Sequence, residues 1–437
     1  MTVAKTMMRI LFACAIFFGV AANCFARLEF SPEDRVLILA PHPDDEAIAA
    51  AGIIQHARAC GAKLKVAYLT NGDYNEFSYL FYKKIPVFSK AGFIEIGKTR
   101  ASEAKNAMAF FGLAPTDLAY LGYPDRFTET ILTGFWNPKY PLNSLLTRIS
   151  RVPYKDALSP GAPYTGESIL KDLKSVLADF KPTKIFVSSP QDTNPDHRSF
   201  YVYLRVALWD LEKTIPKPAV YPYLVHRVGW PNPRKYMPQT GLEPPVDLMT
   251  GDIAWEEVPL KPGEVEKKRR AISLYKSQMS FAQTYFLSFV RSNELLCFYP
   301  FVDLQKGSYK RSLKIDSRLV SEINYNKDDE FLYINIELNK EVAQEIKADI
   351  YLMGYRYDKD FASMPKIFFK AKGSVMFVYD KRKRIDVKGA RLSASGHTLV
   401  IRFPLSELKQ PQYIFSRIIL KGRIFAVHVA PWVILKL

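Results

Sequence analysis

Two short stretches of this chain gather side chains that can hold a cation. The first is Pro41-His42-Pro43-Asp44-Asp45-Glu46, one imidazole and three carboxylates within a turn; the second is Pro190-Gln191-Asp192-Thr193-Asn194-Pro195-Asp196-His197-Arg198. Carboxylates crowded beside a histidine repel one another and are costly to bury unless a cation joins them. A divalent metal meets that need. Imidazole nitrogen with carboxylate oxygen suits zinc and neighbouring first-row ions better than calcium, and three protein ligands with one open position is the catalytic form. The competing reading is that the acids simply occupy the first turn of a helix, where the macrodipole stabilises negative charge. Flanking prolines, the His-x-Asp-Asp order and the position after a strand favour the metal. Among six histidines, His42 and His197 are the strongest ligand candidates. His226 ends a predicted strand and is open between a pocket residue and a satisfied structural histidine.

The elements that must position these residues follow from hydrophobic pattern. Residues 35–40, Arg-Val-Leu-Ile-Leu-Ala, read as a buried parallel strand, and the alanine-rich 47–60, closed by Gly61, as a helix. The first cluster thus lies at the carboxyl end of a strand, where open α/β sheets place their ligands. Further strands are predicted at 63–70, 118–121, 184–189 and 219–226, with helices at 96–112, 167–180 and 197–211. The second cluster follows the strand at 184–189, as a metal site assembled across a parallel sheet requires. Residues 125–165 break the rhythm, dense in Pro, Tyr, Phe and Trp without a clear period. A lid or substrate wall aromatic enough to stack on a sugar ring is one reading, a plain structural insertion the other. The helix at 264–280 carries Lys267-Lys268-Arg269-Arg270, which reads as a solvated face.

Beyond about residue 305 the pattern changes to short strands, at 331–338, 348–357, 374–379, 398–403, 413–420 and 424–435, separated by Gly, Asp, Lys and Pro. This predicts a C-terminal all-β sandwich, loosely similar to carbohydrate-binding sandwiches. At the other end, Lys5 and Arg9 precede the apolar run 10–22, and Cys24-Phe25-Ala26 supplies a small-x-small cleavage pattern. Residues 1–26 therefore read as a secretory signal peptide, and the chain is expected to be exported, periplasmic or extracellular, with no stable transmembrane span after cleavage. Cys60 and Cys297 remain in the mature chain, free or bridged. A formal net charge of +17 suggests attraction to polyanions. No nucleic-acid signature accompanies it, so anionic envelope polysaccharide or a lipid surface is the more natural partner. A basic but idle surface is the alternative.

His42-Pro-Asp44-Asp45-Glu46 after Leu-Ala-Pro, the Arg100-x-x-Glu103 helix, Gly122-Tyr-Pro-Asp125, Asn194-Pro-Asp196-His197-Arg198, Tyr223-Leu-Val-His226 and Tyr275-x-Ser277-Gln278 occur in that order over residues 35–280. Together they resemble the PIG-L/LmbE-like N-acetylglucosaminyl deacetylases. The resemblance implies a Rossmann-like, mostly parallel sheet with flanking helices, expected over residues 27–304, and the strand pattern puts the β-sandwich accessory domain at 305–437. It implies a zinc ion, or another divalent first-row metal, on His42, Asp45 and His197, with Asp44 as general base. By the same likeness Arg100 and Asp125 bind substrate. The family commonly has histidine where this chain has Asn194, and an asparagine amide donates a hydrogen bond but transfers no proton. Either Asp44 also serves as the acid, or His226 helps, or activity is reduced. The expected function is an exported zinc-dependent deacetylase acting on N-acetylhexosamine units of a polysaccharide or glycoconjugate. The alternatives are a metal-dependent amidase on another N-acyl sugar and a glycan-binding protein whose metal site is catalytically impaired.

Overall fold

A computed structural model describes residues 28–84, 88–249, 252–306, 309–312, 319–339, 345–373, 375–422 and 427–437. The expected signal segment, 1–26, lies outside them. Strands β1 (Arg35–Ala40), β2 (Lys63–Thr70), β3 (Leu118–Tyr123), β4 (Lys184–Ser188), β5 (Ala219–Tyr223), β6 (Ala254–Pro259) and β7 (Asn293–Phe298) form one sheet in the order β3-β2-β1-β4-β5-β7-β6. β1 to β5 pair in parallel, and β7 is antiparallel to both β5 and β6. Alternate residues of β1 enter two different cores: Val36, Ile38 and Ala40 on one face, Leu37 and Leu39 on the other. That double burial is why β1 reads as an unbroken apolar run.

Among the described residues there are also nine helices: α1 (Asp45–Ala49), α2 (Ala51–Ala59), α3 (Glu76–Lys83), α4 (Lys90–Phe110), α5 (Thr128–Gly134), α6 (Gly166–Phe180), α7 (Pro195–Asp210), α8 (Pro262–Ile272) and α9 (Lys276–Leu287). The helix expected at 47–60 is split at Ala50, whose φ is −137°. The cause is remote in sequence. Glu294 accepts hydrogen bonds from the Gly52 and Ile53 amides at 2.9 and 3.1 Å, giving α2 its own N-terminal partner. Lys268, expected on a solvated face, is 1% exposed and pairs with Glu294 at 2.8 Å. Residues 125–165 contain α5, and their Trp136, Tyr154 and Tyr164 are buried in the core. The aromatic richness there is mainly packing rather than a sugar-stacking surface. Cys60 and Cys297 are both free. Among the described residues, no helix is long and apolar enough to cross a membrane.

The remaining strands are β8 (Val302–Asp303), β9 (Tyr309–Ser312), β10 (Val320–Lys327), β11 (Phe331–Leu338), β12 (Lys347–Tyr355), β13 (Lys366–Lys372), β14 (Val375–Asp380), β15 (Lys383–Ile385), β16 (Arg391–Ser395), β17 (Thr398–Pro404), β18 (Tyr413–Lys421), β19 (Val427–Val429) and β20 (Val433–Lys436). One sheet runs β16-β17-β11-β10-β9, and an eight-stranded sheet runs β15-β14-β13-β12-β18-β20-β8 with β19 on β18. Ile334 and Ile336 of the first meet Ile350, Leu352 and Ile418 of the second in a shared core, which makes the pair a sandwich. β8 already pairs with β20, so the chain enters this sheet at Val302, slightly ahead of the expected boundary at 304/305.

The sandwich is anchored to the first sheet. Met353, Tyr355, Phe415, Trp432 and Ile434, on the outer face of the eight-stranded sheet, join the core that also holds Leu37 and Leu39. Beneath them lies Glu129 of α5. It accepts from Trp432 Nε1 at 2.8 Å and pairs with Arg198 at 2.7 Å and Arg417 at 2.6 Å. Burial opposes its charge, but Arg417 and Arg198 hold its pKa below the usual value. Trp432→Ala removes a fully buried side chain and one of these bonds, and is expected to cost about 3–5 kcal/mol, read as a lower denaturant midpoint.

Candidate active site

The strand order reverses between β1 and β4, and ligands of open α/β sheets bind at such a switch point. His42 follows β1 and His197 opens α7 after β4, so the two histidines meet there. His42 Nδ1, His197 Nε2 and Asp45 Oδ2 form a triangle with edges of 3.2, 3.1 and 3.2 Å. Donors sharing one ion at about 2.0–2.2 Å are separated by such distances. Asp45 is fully buried, and its Oδ1 has no hydrogen-bond partner among the described residues. A buried carboxylate with one oxygen against two imidazole nitrogens and the other unpartnered fits a divalent cation. One atom each of His42, Asp45, His197 and His226 lies within 4.8 Å of the others.

A second ring of acids orients the imidazoles. His42 Nε2 lies 3.2 Å from Asp125 Oδ1 and 3.1 Å from Asp196 Oδ2, and His197 Nδ1 lies 3.1 Å from Asp192 Oδ2. Each ring therefore presents one nitrogen to the triangle and its other to carboxylate, the arrangement that fixes tautomer and raises ligand basicity. The acids are themselves held by backbone. Asp192 accepts from the amides of Asn194, Val225 and His226 at 2.8, 3.1 and 2.8 Å. Asp196 accepts from Thr128 N at 3.1 Å and from Arg126 N and Thr128 Oγ1, both at 2.5 Å.

Without a cation this surplus of negative charge loads the histidines with protons. Burial opposes the charge on His197, yet Asp192 and Asp45 raise it to about 9, and Asp125, Asp196 and Asp45 raise His42 in the same way. Burial likewise opposes the charge on Asp125, but His42 and Arg100 hold it down at about 2.

Asp44 is the acid left beside the triangle. Its φ of 128° is a conformation non-glycine residues rarely adopt, a strain of roughly 1–3 kcal/mol. Glu46 holds it there by accepting from the Asp44 amide at 3.0 Å, while Tyr275 Oη donates to the other oxygen of Glu46. Arg100 bonds Asp44 Oδ2 at 2.7 Å, Pro43 O at 3.0 Å and Gly72 O at 2.9 Å. A Cβ on Gly72 would stand 1.9 Å from that guanidinium, so only glycine lets it through. Burial pushes Asp44 up to about 7 against the pull of Arg100.

Residues 37–208 match the family model described as PIG-L, GlcNAc-PI de-N-acetylase. These residues form a PIG-L domain. The matched span contains the whole ligand triangle, Asp44 and the acids behind it. Among solved structures the chain is similar to the deacetylase of A40926 pseudoaglycone, at 15% identity over 61% of this chain and 96% of that one, TM-score 0.38. It is similar to the N,N'-diacetylchitobiose deacetylase of Pyrococcus horikoshii, at 19% identity over 64% and 80%, TM-score 0.34. The 4-carboxy-2-hydroxymuconate hydratase of Pseudomonas putida KT2440 is similar at 16% identity over 63% and 98%, TM-score 0.37. No curated relative matches the chain.

The structure brings His42, Asp45, His197 and Asp44 of the PIG-L domain together with His226, which lies beyond the matched span, but it gives other expected residues different work. Arg100, expected to bind substrate, is 4% exposed and occupied with Asp44 and two carbonyls, so it positions the Asp44 carboxylate. Asp125, expected to do the same, lies against His42 and is 5% exposed. Glu103 accepts from Ser277 N and Oγ at 2.8 and 2.6 Å. Asn194 caps α7, accepting from Asp196 N at 2.9 Å. His226 is no proton donor near neutrality, since burial lowers it to about 4. Tyr285 Oη donates to Val225 O at 2.9 Å and so accepts from His226 Nδ1 at 3.1 Å, leaving Nε2 as the lone-pair nitrogen. Asp192, Asp196 and Tyr285 carry these roles without having been singled out; only the first two sit in a motif that hinted at them.

Two outcomes follow. Asp192→Asn, which loosens His197, is expected to weaken metal affinity about 10–100-fold in competition with a chromogenic chelator. The cation-free protein is also expected to lose stability from pH 6.5 to 9. Asp44 and Asp73 at about 7 and Glu46 at about 8 hold protons that the unfolded chain has released, and His197, raised from 6.5 to about 9, loses its stabilising proton over the same span. The opposite contribution of His226, lowered from 6.5 to about 4, is complete below that window. Denaturant midpoints of chelator-treated protein should fall across it, and added metal, which needs neutral imidazoles, should flatten the slope.

Proposed function

We propose that the chain is an exported zinc-dependent deacetylase that removes the N-acetyl group from N-acetylhexosamine units of a polysaccharide or glycoconjugate. The coarser statement, a metal-dependent deacetylase of N-acetylated sugars, follows from the PIG-L domain and its His/Asp cluster. The observation that carries the reading is the triangle of His42, Asp45 and His197 with the strained Asp44 carboxylate beside it. A zinc ion, or a neighbouring divalent ion, on that triangle supplies Lewis acidity and brings the pKa of a water toward neutrality.

The protein's own groups do the rest. Asp44 takes the proton of the attacking water, and Arg100 fixes its carboxylate in direction. The amide C–N bond then breaks, giving acetate and an amine that needs a proton. Asn194 can offer that amine only a hydrogen bond, and neutral His226 can offer no proton. Asp44 therefore returns the proton it took, acting as base and then as acid. Beside Thr193 a groove of about 610 Å³ runs past Trp230 to Val427–Val429 of the sandwich, and its size supports a substrate longer than one sugar. Export is supported by the basic and apolar pattern of residues 1–26, and an anionic partner by the net charge of +17.

A chelator should abolish acetate release from envelope polysaccharide, and zinc should restore it. Asp44→Asn should leave metal bound and lower kcat by at least about 10²-fold. Retained turnover in that variant would remove the base assignment. The second reading, a glycan-binding protein with impaired catalysis, rests on Asn194, and it would stand if the zinc-loaded protein bound the glycan tightly and released no acetate.

A further inference from the structure

The outer face of the eight-stranded sheet has two ends. At one, Met353, Tyr355 and Phe415 are buried against the PIG-L domain; at the other, the same face of β12, β13, β14 and β18 is open and lines a groove of about 610 Å³. We propose that this open end binds a polysaccharide carrying carboxylates on its sugars.

The register places Lys347 directly opposite Lys372 on one side and Lys421 on the other. Three ammonium-bearing side chains thus stand in a row across adjacent strands, spaced by about 4.8 Å. Like charges opposite one another destabilise a sheet, so the row works against folding. One row along, Lys370 pairs across with Asp349 and with Phe377. Asp349 also lies 3.1 Å from Lys421 and is, among the described residues, the single acid lining the groove, against four lysines, all exposed. Among the described residues, the lining therefore carries a net positive charge.

Beside the cations stand apolar rings. Phe377 is 37% exposed, and Phe368 stacks on Tyr351 at 4.7 Å and leans on Tyr379 at 5.8 Å. An extended acidic glycan offers both features at once: a charge recurring from ring to ring, and apolar sugar faces between the charges. Lysine ammonium groups are compact point charges that pair with a carboxylate without a fixed geometry, which suits charges spaced along a flexible chain. The concave shape is also the reverse of the protruding apolar residues that enter a lipid surface. This proposal stands apart from the deacetylase reading, because binding here needs neither metal nor turnover.

The test uses the full mature chain and polygalacturonate as the acidic probe, with neutral galactan, duplex DNA and anionic phospholipid vesicles as comparators, in low salt. Polygalacturonate should bind, and its affinity should fall with added salt and drop at least tenfold in the Lys347→Gln/Lys372→Gln variant. The melting temperature of that variant should stay level or rise, since repulsion is relieved. Absence of polygalacturonate binding would overturn the proposal, as would undiminished affinity in the variant. Equal or tighter binding to galactan, DNA or vesicles would assign the face to another partner and overturn it equally. A variant that loses binding while melting lower would show a structural role for the lysines and defeat the argument from repulsion.

Discussion

The site depends on charge compensation in a space from which water is largely excluded. Asp45, Asp125, Asp192 and Asp196 surround the rings of His42 and His197, and all six side chains are buried. Two imidazoles, even doubly protonated, do not balance four carboxylates. A divalent cation supplies the same two charges with both rings neutral and concentrates them at the three donors, while Arg100 and Arg126 offset part of the remainder at Asp125. Burying such a set costs several kcal/mol per ion unless partners are in place. The surrounding structure supplies those partners mostly as backbone amides. Amides are fixed dipoles that do not reorganise when charge moves, so they hold the acids still without competing for the metal.

The same constraint explains why elements distant in sequence converge here. Asp196 is held by the turn leading into α5, and Asp192 by the strand end before His226. Arg198, the neighbour of His197, is tied to Glu129, which in turn binds Arg417 and Trp432 of the sandwich. The β-sandwich thus braces the first turn of the helix that delivers a metal ligand. A shift of α5 would loosen Asp196 and Arg198 together, since both depend on it.

What was legible in the sequence was local. The strands at 63–70 and 331–338 begin and end where hydrophobic pattern places them, because one run is buried on both faces and the other alternates between core and solvent. The meeting of His42, Asp45 and His197 was legible because a turn of five residues supplies two of them and strand-end position supplies the third. Roles that depend on remote contacts were not. Nothing near Gly52 announces that Glu294, some 240 residues on, will break the helix there. Nothing in the Arg100 segment shows that its guanidinium turns inward to Asp44 rather than outward to a ligand. The aromatic stretch at 125–165 misled because composition alone does not separate rings that fill a core from rings that face a sugar.

One sheet face now has two uses, and the geometry links them. Where Tyr355, Phe415 and Trp432 meet the PIG-L domain, a continuous apolar core and a buried Glu129 with two arginines leave little freedom for one domain to rotate on the other. A chain bound along the lysine row would therefore be held at a fixed offset from the metal site, not on a flexible tether. Rigid spacing raises the effective concentration only of sugars that lie at the matching distance along the chain. It follows that a long acidic polymer would be engaged by both domains together, whereas an isolated N-acetylated sugar would meet the catalytic site alone. Discrimination between polymer and monomer then arises from the distance between two surfaces, and requires no further contact inside the catalytic pocket.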